Sequence, residues 1–104
     1  MDLGISGRTA LITGGSLGIG KATAAELAAE GVNVAIVARD RTRLEDAAQE
    51  LSSNTGGRVI GIAGDMGDAS DIARAVDEAS TALGGIDILV NNAGSSPAGR
   101  IEAL

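Results

Sequence analysis

The chain is predicted to be an α/β protein built on a doubly wound parallel sheet, and three observations lead there. β-type runs alternate with helical patterns in the order β-α-β-α-β-α-β. The first two runs are apolar almost throughout, as strands covered on both faces are. A glycine-rich segment joins the first run to the first helix, where the chain must turn sharply.

The first run is Thr9-Ala10-Leu11-Ile12-Thr13 and the second is Asn33-Val34-Ala35-Ile36-Val37. The third is Arg58-Val59-Ile60-Gly61-Ile62, and the fourth is Ile86-Asp87-Ile88-Leu89-Val90-Asn91. All four are rich in β-branched residues and bounded by Gly, Asn or Asp. The first helix is expected over Gly18 to Glu30, closed by Gly31 as a left-handed cap. The second is expected over Arg41 to Ser53, with Leu44, Ala47, Ala48 and Leu51 on one face. Asp40 suits its N-cap, and Thr42 with Glu45 also fits a capping box. The third, Ala69 to Leu83, carries an apolar stripe of Ile72, Val76, Ala79 and Leu83, with Asp68 as cap and Gly84-Gly85 as stop.

Right-handed crossovers then predict strand order 3-2-1-4, with the first two helices on one face of the sheet and the third on the other. The fourth strand is expected at an open edge. A sheet face covered by one helix is unfinished. Residues 1–104 are therefore expected to be the N-terminal part of a single domain, with the rest absent.

Composition narrows the chemistry. The 104 residues include 16 Gly and no His, Cys, Tyr, Phe or Trp. A Ser-His-Asp triad, a thiol nucleophile, a zinc finger and a tyrosine acid are excluded, and no metal site is expected. Without aromatic rings there is no stacking platform for single-stranded nucleic acid. A net charge of −6 also disfavours nucleic acid and anionic membrane as partners. The absence of Cys fits a reducing compartment. Met1-Asp2-Leu3-Gly4 carries an acid where a signal peptide has a base, and no apolar run approaches the ~18 residues of a membrane span. A cytoplasmic location is expected.

The glycine segment reads Thr13-Gly14-Gly15-Ser16-Leu17-Gly18-Ile19-Gly20. Glycines here permit a tight turn and let backbone N–H groups approach a phosphate at the positive end of the following helix. A packing turn without a ligand could carry the same spacing. The position between strand and helix, inside a βαβ unit of about 30 residues, favours the phosphate.

The pattern resembles the short-chain dehydrogenase/reductase family, whose fold is of the Rossmann type. The resemblance rests on the Thr-Gly-x-x-x-Gly-x-Gly segment at Thr13 to Gly20, on Asp65 after the third strand, and on Asn91-Asn92-Ala93-Gly94 at the end of the fourth. All three stand in family order, and the resemblance runs from about Ile5 to the last residue. It implies that Gly14, Gly18 and Gly20 shape a turn around a dinucleotide's pyrophosphate. Ser16 and Leu17 would contact phosphate and ribose, and Ile19 would lie near the nicotinamide. Asp65 and Met66 would meet the adenine, the carboxylate accepting from its amino group. Asn91, Ala93 and Gly94 would support the sheet and touch a ribose. A turn acid beside the Asp68 cap and an Asn-rich strand exit are the plainer readings of Asp65 and Asn91.

Cofactor choice turns on the end of the second strand, where an acid would bond the ribose 2′-OH and an Arg would accept a 2′-phosphate. The chain reads Val37-Ala38-Arg39-Asp40-Arg41-Thr42-Arg43, with Ala38 at the position of the NAD-selecting acid. A guanidinium at Arg39 can grip a phosphate bidentately, so NADP is favoured over NAD. Asp40 is better explained as a cap, and Leu17 stands where the family often has a second base. Arg39 as a solvated surface residue is the alternative.

The family's catalytic Ser and Tyr-x-x-x-Lys, with a supporting Asn, belong beyond Asn-Asn-Ala-Gly. This chain has no Tyr, its one Lys is Lys21, and Ser95 and Ser96 do not match the catalytic Ser. Pro97 to Leu104 resembles the start of the family's substrate-side loop and the helix that follows it. No catalytic residue is expected here. In a complete member the resemblance implies hydride transfer between nicotinamide and a small carbonyl or alcohol substrate, with the Tyr as general acid/base. It also implies homo-oligomers, and 3-oxoacyl-carrier-protein reductases are the most similar members in general look. A non-catalytic dinucleotide-binding module and a truncated remnant are the alternatives.

Overall fold

A computed structural model of the chain describes residues 5–14, 18–65 and 67–91, and the backbone of 100–103. They form a five-stranded sheet in the order β3-β2-β1-β4-β5. The strands are β1 (Thr9–Thr13), β2 (Asn33–Ala38), β3 (Val59–Ala63), β4 (Ile88–Asn91) and β5 (Arg100–Ala103). The helices α1 (Gly18–Ala29), α2 (Arg41–Thr55) and α3 (Ala69–Leu83) join the first four. Those four strands are parallel, and the expected order 3-2-1-4 is the order observed.

Two expectations need correction at the open edge. β5 runs antiparallel to β4, pairing Asn91 with Arg100 and Ile88 with Ala103. The fourth strand is therefore not an edge, and residues 100–103 are extended rather than helical. An exposed strand edge offers a row of unpaired N–H and C=O groups, and an antiparallel partner needs only a short return of the chain.

The central strands alternate their side chains between two cores. Ala10, Ile12, Val34 and Ile36 point to the face where Ala24 and Ala28 of α1 and Leu44, Ala47, Ala48 and Leu51 of α2 pack. Leu11, Ala35, Val37 and Ile62 point to the other, where α3 supplies Ala75 and Ala79. Alanine on α1 leaves a thin contact face, so the helix lies close to the sheet. The α2 face is the one expected from periodicity. The α3 stripe is so only in part: Ala79 is buried and Leu83 packs against the same core, whereas Ile72 and Val76 are 39% and 38% exposed. Ala75 and Ala79 hold α3 to the sheet, and Ile72 and Val76 lie to one side.

Helix ends follow local chemistry. The Asp40 carboxylate accepts from Arg43 N–H at 3.1 Å, which makes Asp40 the cap of α2. Asp68 accepts from Ser70 N–H and Asp71 N–H at the start of α3. Ser52 fastens α2 to β3, its Oγ donating to Val59 O and accepting from Val59 N–H.

Side-chain bonds tie both ends of β1 to β4 and to the residues just before it. Asp87 Oδ2 accepts from Thr9 N–H at 2.9 Å, and Thr9 Oγ1 donates to Gly85 O at 2.5 Å. At the carboxyl end, Thr13 Oγ1 donates to Asn91 Oδ1 at 2.9 Å. Both threonines are buried, and these bonds satisfy their hydroxyls.

Candidate functional site

The first turn of the site is set by one backbone angle. Gly14 follows β1 with φ of +72°, a conformation that costs a residue with a Cβ but not glycine. Its N–H donates to Val37 O at 2.7 Å, so the turn is held against β2 as it leaves β1. Gly18 opens α1 and is exposed, whereas Gly20, two residues on, is buried. Ser16, Leu17, Met66, Ala93, Gly94 and the side chain of Ile19 lie outside the described residues.

A cleft of about 570 Å³ opens at the carboxyl ends of the parallel strands. Thr13 and Gly14, Ala38 and Arg39, and Asn91 line it from the ends of β1, β2 and β4. Gly64, Asp65 and Gly67 line it from the β3–α3 turn. Of the residues expected from the sequence, Gly14, Arg39, Asp65 and Asn91 therefore meet at one cleft. In an open parallel sheet the crevice outside the strand ends, where the strand order reverses, is the usual ligand position. Here β1 is flanked by β2 and β4, so the reversal falls at β1.

The apolar wall of the cleft was not anticipated. Leu11, Val37 and Leu89 come from the sheet, and Ile72, Ala75 and Val76 from α3. The signal was present in the sequence as the α3 stripe, but amphipathic periodicity marks a face without saying what it meets. Thr13 was legible only as part of the glycine segment, not as the group that holds Asn91 in place.

Beside the cleft is a shallower depression of about 360 Å³, which shares Arg39, Gly64 and Asp65 with it. Arg41, Ala63, Asp71 and Arg74 complete its lining. The three arginines there differ in commitment. Arg74 Nη1 donates to Glu78 Oε1 at 2.8 Å and Nη2 to Ala63 O at 2.6 Å, with Asp71 Oδ1 3.7 Å away. The hydrogen bond to Glu78, against slight desolvation, raises the pKa of Arg74 above its ordinary value. Arg41 lies 4.0 Å from Glu45. Arg39 is exposed, and among the described residues no carboxylate is within ion-pair distance of it. It is a cation left available at the mouth of the cleft.

Asp65 is half-buried. Its Oδ1 accepts from Gly67 N–H at 2.9 Å, and among the described residues Oδ2 receives no donor. Also among those residues, no three acidic side chains stand together as a metal site, and no helix is long and apolar enough to cross a membrane.

The profile of the short chain dehydrogenase family matches residues 8–104. The chain belongs to that family. It is 41% identical over 90 residues to General stress protein 39 of Bacillus subtilis, covering 86% of this chain and 32% of that protein. It is 40% identical over 102 residues to the (2S)-[(R)-hydroxy(phenyl)methyl]succinyl-CoA dehydrogenase subunit BbsD of Thauera aromatica, covering 98% of this chain and 41% of that one. Among solved structures, L-sorbose reductase of Gluconobacter frateurii, complexed with NADPH and L-sorbose, superposes with a TM-score of 0.86 at 45% identity. That match covers 91% of this chain and 36% of the reductase. The short-chain dehydrogenase sequence described here thus spans about a third of the length of the curated relatives it matches.

Proposed function

We propose that this short-chain dehydrogenase chain is the NADP-binding part of an oxidoreductase acting on a small carbonyl or alcohol. The observation that carries the proposal is the meeting of the Gly14 turn, Arg39 and Asp65 at one cleft beyond the strand ends. The residues fit an adenine dinucleotide phosphate by charge and shape. The turn offers backbone at a helix N-terminus for the pyrophosphate, with Gly14, Ser16, Leu17, Gly18, Ile19 and Gly20 as its residues. Arg39 offers an uncommitted guanidinium for a 2′-phosphate, which a ribose-binding acid would repel. Asp65, beside Met66, offers an adenine amino group a carboxylate oxygen that receives no donor among the described residues. Asn91, held by Thr13, is assigned to the ribose side, as are Ala93 and Gly94, which follow it in the sequence.

Bound NADP would supply the hydride donor or acceptor at its nicotinamide ring. The chain's own part is to bind and orient, and no catalytic role is assigned to any of its residues. The chain is the first part of a single dinucleotide-binding domain on this proposal, and the reacting groups belong to the rest of the protein.

Titrating the 104-residue chain with NADPH and with NADH tests the proposal directly. Saturable binding with NADPH tighter is the expected result. Absence of saturation by either dinucleotide at millimolar concentration rejects it, and equal affinities reject the choice of NADP.

A further inference from the structure

We infer that Asp71 and Arg74 are positioning residues that hold the β3–α3 turn so that Asp65 presents its carboxylate to an exocyclic amino group of a purine. The inference rests on the role proposed above for Asp65. Asp65 is in a turn, without helix or sheet bonds of its own to fix it, yet its hydrogen-bonding groups are individually engaged. Its N–H donates to Asp71 Oδ2 at 2.9 Å. Its C=O accepts from Asp68 N–H at 3.0 Å, and its Oδ1 accepts from Gly67 N–H at 2.9 Å. The backbone position and the side-chain rotation of Asp65 are thus both determined, and Oδ2 is the oxygen that receives no donor among the described residues.

Asp71 can serve as that backbone acceptor only if it is itself held. It stands in the first turn of α3. Arg74 is the group that holds it. Its guanidinium is 3.7 Å from Asp71, and it also bonds Ala63 O, the carbonyl at the end of β3, and Glu78 one turn further along α3. A planar fork with five donors can span these three acceptors, whereas a lysine ammonium at one point cannot. The result is a brace from the end of β3 to the second turn of α3, with the Asp65 turn enclosed between its ends. The residue before Asp65 is tied to the other side of the site, since Gly64 N–H donates to Ala38 O beside Arg39.

The brace is separable from general stability because it predicts a change in selectivity. Adenosine 5′-monophosphate carries an amino group at purine C6, and inosine 5′-monophosphate carries a carbonyl oxygen that a carboxylate repels. Dissociation constants for both are measured by calorimetry on the 104-residue chain and on four variants, together with thermal midpoints. The parent chain is expected to prefer AMP by about tenfold, the effect of one charge-assisted hydrogen bond. Asp71→Ala and Arg74→Met bring the ratio toward one. Asp71→Asn, which keeps an acceptor for Asp65 N–H, retains most of it, and Arg74→Lys gives an intermediate ratio. Arg74 is exposed, so its variants keep the fold. A ratio unchanged in Asp71→Ala and Arg74→Met, whatever happens to the midpoints, overturns the brace while leaving Asp65 as the adenine reader. A parent chain that binds AMP and IMP alike overturns both.

Discussion

Arg39→Ala is the substitution that most directly tests how the cleft selects its ligand. Arg39 follows the last residue of β2, exposed, with no carboxylate in ion-pair distance among the described residues. Its removal therefore costs the fold little and exposes no buried partner. A hydrogen bond to a charged group contributes about 1.5–3 kcal/mol net, and solvent-exposed ion pairs contribute about 0.2–1 kcal/mol. An exposed but bidentate guanidinium–phosphate contact falls at the lower end of the first range, near 1.5–2 kcal/mol, which is about 10- to 30-fold in affinity. Arg41 lines the same depression and remains in the variant, so some attraction for a 2′-phosphate survives. The assay compares adenosine 2′,5′-bisphosphate with 5′-AMP on the 104-residue chain, which isolates the 2′-phosphate from the nicotinamide end. The bisphosphate's advantage should fall by that factor in Arg39→Ala, with 5′-AMP affinity unchanged. Arg39→Lys should lie between, since it keeps the charge and loses the fork. An advantage that is the same in Arg39→Ala as in the parent chain refutes the assignment.

Three further expectations concern the scaffold. Gly57→Ala places a Cβ 2.7 Å from Ala28 O, a backbone atom of α1 that has nowhere to move, and should cost about 1–3 kcal/mol in urea unfolding. Asp68→Ala removes the acceptor for two N–H groups at the start of α3 and should cost about 1 kcal/mol, a fall in Tm of about 5 °C for a chain of this size. Ile36→Ala and Ile72→Ala remove the same atoms from opposite environments, 0% and 39% exposed. The first should cost about 2–5 kcal/mol and the second under about 1 kcal/mol, and equal costs would mean that the α3 stripe is covered.

Much of the fold was legible because it is local. Asp40 and Asp68 announce helix starts, since a short carboxylate can reach the N–H groups two and three residues on. Gly31 and Gly84 follow helix ends in left-handed conformations, as a glycine after an apolar periodic stretch suggests, whereas α2 runs two residues past the expected Ser53 before Gly56 ends it. Strand order followed from handedness once the βα alternation was recognised. The site was partly legible for the same reason. Gly14, Arg39, Asp65 and Asn91 each stand at the end of a different strand, and parallel strands deliver their carboxyl ends to one edge of the sheet.

What remained hidden depends on distance along the chain. The four-residue spacing of Ile72 and Val76 shows that they share a side of α3. That Ala75 and Ala79 take the sheet while those two line the cleft is decided by where the helix crosses it. Asn91 was readable as a strand exit, but its bond to Thr13 exists only because β1 and β4 are neighbours. The tie from Arg74 to Ala63 O joins a helix to the strand before it, and no periodicity announces a guanidinium's reach. The pairing of β5 with β4 belongs to the same class, because an open edge takes whatever strand the chain returns to it. By itself, then, the sequence determined the first four strands and the three helices, their handed order and the family, all properties of neighbours within a few residues or of a chiral backbone. Only the tertiary structure decided which side chains face the cleft and which hold them, because those contacts form between segments that meet only after the sheet is assembled.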